Sequence, residues 1–216
     1  QCPKCGEIIT DTKVIAAYLP IRHGANFAAA EALAEAYQQT GDEAFAAKAL
    51  GILREYADKY EQIINYEPRS TATQGHLGRG TLMESFLVTG AFRAYRNLRS
   101  SSSLTAADRQ HIERDFLLNS AVRLARHGAE ANQRIEHGKI AIYGGLLGGN
   151  WALAGEAVYG PNGWLALLDD GFSADGVAQE GGVYHAGQLG ALAEAANELL
   201  ANGVNLYNAR FKRVFD

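Results

Sequence analysis

The sequence predicts an all-α fold built from sequential antiparallel helix hairpins, and three observations carry that reading. Of 216 residues, 37 are Ala against only 4 Pro, a composition suited to closely packed helices. Apolar residues recur at helical spacing through most of the chain. The segments so marked are separated by Gly-rich turns, with no convincing sheet between them. With 47% hydrophobic and 20% charged residues, the chain is too apolar to be disordered and too interrupted by charge to span a bilayer. A formal net charge of −4 leaves no nucleic-acid footprint, so a polyanion binds only through a local basic cleft.

The elements follow in order. Phe27, Ala30, Leu33, Ala34 and Tyr37 mark a helix over 26–39, which Thr40-Gly41-Asp42 ends and re-caps. A second helix, about 43–60, places Phe45, Ala49, Ile52, Leu53, Tyr56 and Tyr60 along one face. The pair superficially resembles a tetratricopeptide unit, but no second copy follows at a fixed period. A polar connector over 66–80, too long for a plain helix turn, suits function. Helices are then predicted at about 82–98, from 105 to near Gly128 after a Ser100–Ser103 linker, at 140–147, 151–159 and 164–168, and at about 188–201. The stretch 169–185 reads as a loop or short hairpin. Such helix pairs fit an incomplete (α/α) toroid or a bundle. Residues 1–11 form a separate Cys-containing segment before the helical domain, 12–216. Gln1 is not an initiator and the last residues lack a helix stop, so the sequence reads as part of a longer chain.

Cys2-Pro3-Lys4-Cys5-Gly6 has the shape of half a zinc knuckle, in which a tight turn aims two thiolates at one metal. Its remaining ligands would lie upstream or include His23; otherwise Cys2 and Cys5 are a disulfide or free thiols. A redox role is disfavoured, because no strand–helix pattern follows.

Three polar clusters stand at helix starts or in loops: Gln74, His76 and Arg79; Asn132 to His137; and Asp175 to His185. In sequential hairpins alternate connections emerge at the same end, so the clusters can converge on one cleft. His137 sits at the opening of an otherwise apolar helix, and a plain structural account makes it a backbone-bonded histidine. Tyr184-His185 places a phenol and an imidazole after two glycines that let a ligand approach; the alternative is a Tyr ring packed at a helix start. Asp175 reads as a turn residue, although Asp175 and Glu180 could form the two carboxylates of a glycoside hydrolase.

The signature Asp175-Gly176…Glu180-Gly181…Tyr184-His185, the polar stretch Asn132–Gly138 and the N-terminal Cys-Pro-x-Cys-Gly resemble the heparinase II/III-like and oligoalginate lyase group of polysaccharide lyases. The resemblance runs from the first helices to Ala201. It implies an incomplete (α/α) toroid, with further helices and a β-sandwich domain downstream of this chain. It also implies a periplasmic or secreted enzyme acting on an acidic polysaccharide or oligosaccharide by β-elimination, with no cofactor needed for catalysis. Such a reaction removes the proton beside a uronate carboxylate, which must first be neutralised, and protonates the leaving glycosidic oxygen. By the resemblance, Tyr184 is the acid, or base and acid together in a syn elimination, and His137 is the base or the neutralising group. Family members often carry Asn where Glu136 stands. An ionised Glu136 would repel a uronate, so it is expected to be protonated, turned away or paired with Arg134, or else Asn132 or Gln133 supplies the amide. Gln74, His76, Arg79 and His185 complete the expected substrate contacts. A hydrolase using Asp175 and Glu180, or a non-catalytic helical scaffold, are the other readings.

Overall fold

A computed structural model describes residues 1–2, 4–63, 76–78, 80–127, 131–179 and 181–215. It divides into two compact units, Gln1–Arg109 and Gln110–Asp216. Among the described residues there is no strand, only an isolated antiparallel bridge between Phe172 and Ala178, so the class is all-α as predicted. Nor is any helix among them long and apolar enough to cross a membrane.

In the first unit, α1 (Thr12–Thr40) starts well before the predicted position, because Asp11 caps it by accepting from the backbone N–H groups of Lys13 and Val14. Pro20 lies inside the helix, where it forfeits one backbone bond without ending it. The early turns expose Val14, Tyr18 and Ile21, so no buried stripe marks them in the sequence. Gly41, at φ 70°, closes α1 by donating to the Tyr37 carbonyl, and Asp42 caps α2 (Glu43–Lys59). A 3-10 turn, Tyr60–Gln62, follows α2. Helix α1 packs on both α2 and α3 (Thr81–Leu98). Phe27 and Ala34 of α1 are buried, as are Leu50 and Leu53 of α2 and Val88 and Phe92 of α3. Each of the larger side chains contributes about 1.5–3 kcal/mol by leaving water. The Phe27 and Tyr56 rings stand 4.3 Å apart, centroid to centroid.

The serine linker is tied down rather than loose. The Glu43 carboxylate accepts from the hydroxyls of Ser101 (2.6 Å) and Ser103 (2.7 Å) and from the N–H groups of Ser102 and Ser103 (each 3.1 Å). These donors, the Ser101 hydroxyl first, lower the Glu43 carboxyl to about 2.

The division between the units falls inside α4 (Ala106–His111), which runs on as a π-helical segment (Ile112–Leu118) and then α5 (Asn119–Ala125). The second unit continues with α6 (Ala131–Leu147), α7 (Trp151–Tyr159), α8 (Trp164–Asp170), α9 (Gly182–Ala201) and α10 (Ala209–Lys212). Helix α6 is its centre, packed by the π segment, α5, α7, α8 and α9. Two predicted starts move. Helix α6 begins at Ala131 rather than Ile140, so the polar stretch 132–138 forms its first turns. Helix α9 begins at Gly182 rather than Gln188, which takes Tyr184 and His185 into its first turn.

Close approach explains the glycines of α6. A Cβ on Gly144 would lie 2.2 Å from Ala121 Cβ of α5, and one on Gly145 would lie 2.7 Å from the Asn150 carbonyl oxygen. The helices meet almost backbone to backbone, and the alanines opposite allow it.

Two outcomes test this packing. Gly144→Ala should destabilise the protein by about 1–3 kcal/mol in urea unfolding, the usual cost of overpacking. Because the Glu43 carboxyl is held below its unfolded value, its contribution is complete above the unfolded value near 4.5 and is lost as pH falls towards about 2. Glu43→Gln should therefore lower the urea midpoint at neutral pH and flatten its decline across that acid window.

Candidate active site

One face of α6 opens onto a cleft. Arg134, His137, Gly138 and Ala141, spaced i, i+3, i+4 and i+7, line a cavity of 160 Å³ together with His127, Leu153, Glu156, Asn162 and Gly163. His137 is 2% exposed, and its Nδ1 donates to the His127 carbonyl oxygen. A carbonyl only accepts, so in the neutral ring Nδ1 carries the proton and Nε2 carries the lone pair. The backbone-bonded histidine and the candidate base are thus the same residue: the bond fixes the tautomer that a base requires. Gly138 is explained by Trp164, whose buried Nε1 would lie 2.4 Å from any Cβ at that position. Arg134 donates from Nε to the Asn162 carbonyl (3.2 Å) and from Nη2 to the Gly163 carbonyl (3.4 Å) at the start of α8.

Glu136 faces elsewhere. Its carboxylate pairs with Lys139 Nζ at 2.8 Å, not with Arg134, and Lys139 reaches Glu194 of α9 at 3.8 Å. The Tyr143 hydroxyl donates to the same Glu194 carboxylate at 2.7 Å. Glu136 and Lys139 are both buried, so this cluster joins α6 to α9 inside the protein. Of the expected outcomes for Glu136, turning away is the one adopted, and the pairing with Arg134 is replaced by Lys139. Asn132, one turn before Glu136, and Gln133 are half-buried on α6, and neither lines the cleft.

Tyr184 stands 54% exposed on the first turn of α9, after Gly181 at φ 95°, and neither it nor His185 lines the His137 cavity. His185 Nδ1 accepts from the Ala178 N–H at 3.3 Å, and its ring meets Phe172 edge-on at 6.2 Å, so it fastens the preceding loop. In that loop Asp175 accepts from the Ser173 hydroxyl, which lowers its carboxyl below the ordinary value. Gly176, at φ 82°, comes so near Arg213 that a Cβ would lie 2.1 Å from its carbonyl oxygen. Asp175 is thus an exposed turn residue, and Glu180, its partner in the hydrolase reading, lies outside the described residues.

Gln74 and Arg79 also lie outside the described residues. His76 belongs to the first unit, where its Nδ1 meets the Ile63 carbonyl at 2.8 Å and its ring lies 5.0 Å from that of Tyr60. Glu84, fully buried on α3, accepts from the Tyr60 hydroxyl and from the His76 N–H, each at 2.5 Å. The His76 backbone is therefore anchored in the core of that unit.

The zinc expectation gains no ligands. Among the described residues no group of three or more His, Cys, Asp or Glu side chains converges, and Cys2 and Cys5 are free thiols. His23 is occupied otherwise: its Nδ1 lies 2.7 Å from the Tyr56 hydroxyl, and burial lowers its affinity for a proton. Hydrogen bonds from the Cys5 and Lys4 backbone hold the Cys2 thiol below its ordinary value.

Sequence reasoning singled out His137 and put Arg134 in the same polar cluster, but gave Arg134 no part in the site and missed His127, Glu156 and Asn162 as neighbours. Arg134, three residues before His137, was readable once the helix was known to begin at Ala131. The other three join by tertiary packing that no local pattern announces. The buried charge cluster gives a stability test: Lys139→Met leaves two carboxylates without their cation and should cost about 3–5 kcal/mol in denaturant unfolding.

The alginate lyase family model matches residues 22–216. The chain is also similar to an exo-oligoalginate lyase from Saccharophagus degradans, 28% identical over 177 residues, which cover 77% of this chain and 24% of that protein. It thus aligns with about a quarter of that relative's length. With the family match extending over most of its residues, from the middle of α1 to the end of α10 and across the His137 cleft, the chain belongs to the alginate lyase family.

Proposed function

We propose that the protein is a polysaccharide lyase that cleaves uronate-containing chains of the alginate type by β-elimination, with His137 and Tyr184 as its acid–base pair. The observation that carries the proposal is the contact of His137 Nδ1 with the His127 carbonyl oxygen, which leaves Nε2 as the basic nitrogen of the neutral ring. The imidazole is buried, oriented by a backbone carbonyl and set on the wall of a polar cleft, with its basic nitrogen at Nε2. Membership of the alginate lyase family and the similarity to an exo-oligoalginate lyase support the substrate class.

His137 Nε2 takes the proton from the carbon beside the uronate carboxylate. The electron pair left behind forms a double bond to the adjoining ring carbon, and the glycosidic C–O bond there breaks. The Tyr184 hydroxyl gives its proton to the departing oxygen, and water restores both residues to their starting states. No metal is called on, because the carbon acid is strengthened by neutralising its carboxylate with protein donors. The exposure of Tyr184 suits a group that must reach a polymer. The helical units are read as part of an (α/α) toroid, and the protein as periplasmic or secreted, where such polymers are met.

Incubation with alginate oligosaccharides should create ultraviolet absorbance from the new conjugated double bond, one per bond cut. Heparan, hyaluronan, chondroitin and ulvan serve as comparison substrates. Tyr184→Phe and His137→Ala should each lower kcat by about 10²–10⁴-fold, the usual contribution of a positioned acid or base. New reducing ends without absorbance would establish hydrolysis instead, and an unchanged rate in Tyr184→Phe would remove that residue from the mechanism.

A further inference from the structure

We infer that Arg134 is the residue that takes the uronate carboxylate in the His137 cleft. This rests on the β-elimination reading for its catalytic consequence, but the binding it describes can be measured without turnover.

Arg134 and His137 are three residues apart on α6 and line the same cavity, so a sugar held at one lies beside the other. Glu136, although adjacent to His137 in sequence, is rotated about 100° around the helix, and its charge is engaged by Lys139 at 2.8 Å. Asn132, four residues before Glu136, belongs to that other side of the helix.

The Arg134 guanidinium donates to two neutral carbonyl oxygens, those of Asn162 and Gly163. Among the described residues no carboxylate pairs with it. Lys139, by contrast, has two carboxylates around it and no charge to spare. A guanidinium has five N–H donors and stays protonated throughout the working pH range. With Nε and one Nη2 hydrogen holding the group to the turn before α8, three donors remain for a ligand. The carbonyls fix the plane of the guanidinium before any ligand arrives, so little side-chain entropy is lost on binding.

As the proton leaves, negative charge spreads from the carbon onto the carboxylate oxygens. A fixed cation there stabilises the transition state more than the bound substrate, which is what raises kcat. Glu156 lines the same cleft, so Arg134 also offsets a carboxylate that would otherwise repel an acidic sugar.

Binding is measured in the whole protein by calorimetry, using an oligouronate and the same oligosaccharide with its carboxyls reduced to alcohols. Arg134→Gln should weaken the oligouronate about tenfold or more, the worth of a charge-assisted contact, and leave the reduced sugar unaffected. Arg134→Lys should recover part of the loss, and it provides the reading if the Gln variant does not fold. In turnover, added guanidinium should restore part of the rate of Arg134→Ala but none of the rate of His137→Ala. Equal weakening of both sugars would show that Arg134 only fastens α6 to the α8 turn, and unchanged oligouronate affinity would equally overturn the inference. Failure of the lyase reading looks different: no ultraviolet absorbance from the unmodified protein, whatever Arg134 binds.

Discussion

The second unit depends on burying α6 on every side although the helix carries charge. A lysine removed from water must be met by a carboxylate within the protein. Lys139 draws Glu136 from its own helix and Glu194 from α9. That single requirement settles which way each neighbouring residue faces. With Glu136 committed to the α9 side, His137 falls on the side towards the cleft, and Gly138 falls under the Trp164 indole. Further along, Gly144 and Gly145 bring the same helix onto α5 and α7. One helix thus presents a charged seam, a polar cleft wall and a smooth glycine surface, each to a different neighbour.

Such division of labour bears on Glu136, which stands where the resemblance drawn from the sequence implies Asn before the histidine. In a structure where that position faced the ligand, a glutamate would obstruct an acidic substrate. Here the position is turned to α9, so the substitution becomes part of the packing. The electrostatic task moves to the cleft face, where the cation is held by carbonyl groups and retains its charge. At this one position, Glu136, the side chain serves the packing of α6 on α9 rather than the cleft.

Much of the fold was legible because its helices are amphipathic in the ordinary way. Phe27 to Tyr37 and Ala49 to Tyr56 show their buried stripes directly in sequence, whereas in α3 Phe86, expected on the buried stripe, is half exposed and Val88 and Phe92 are buried in its place. The misplaced boundaries share one cause. Where a helix buries polar residues or exposes apolar ones, periodicity gives no warning. Val14, Tyr18 and Ile21 are exposed at the start of α1, while Glu136, His137 and Lys139 are buried at the start of α6. The site was legible to the same extent. His137 stood out by its residue type, whereas Glu156 and Asn162 reach the cleft through the packing of α7 and the turn after it. The Ser100–Ser103 run read as a linker because serine is common in linkers. That it also supplies the donors for Glu43 depends on a contact nearly 60 residues away in sequence.

The π-helical segment, Ile112–Leu118, leaves a mark on how the chain can change in length. A π turn takes up one residue more than the α-helix it interrupts, while the residues on either side keep their faces. Removing one residue within 112–118 can therefore be absorbed by reverting that turn to α, with Ala121 still opposite Gly144. A deletion between Ala121 and Leu124, inside α5, cannot be absorbed in this way: with Ala121 held opposite its glycine, the buried Leu124 swings about 100° out of place. Two neighbouring stretches of one helix thus differ sharply in their tolerance of insertion and deletion, a difference that composition and burial alone would not distinguish.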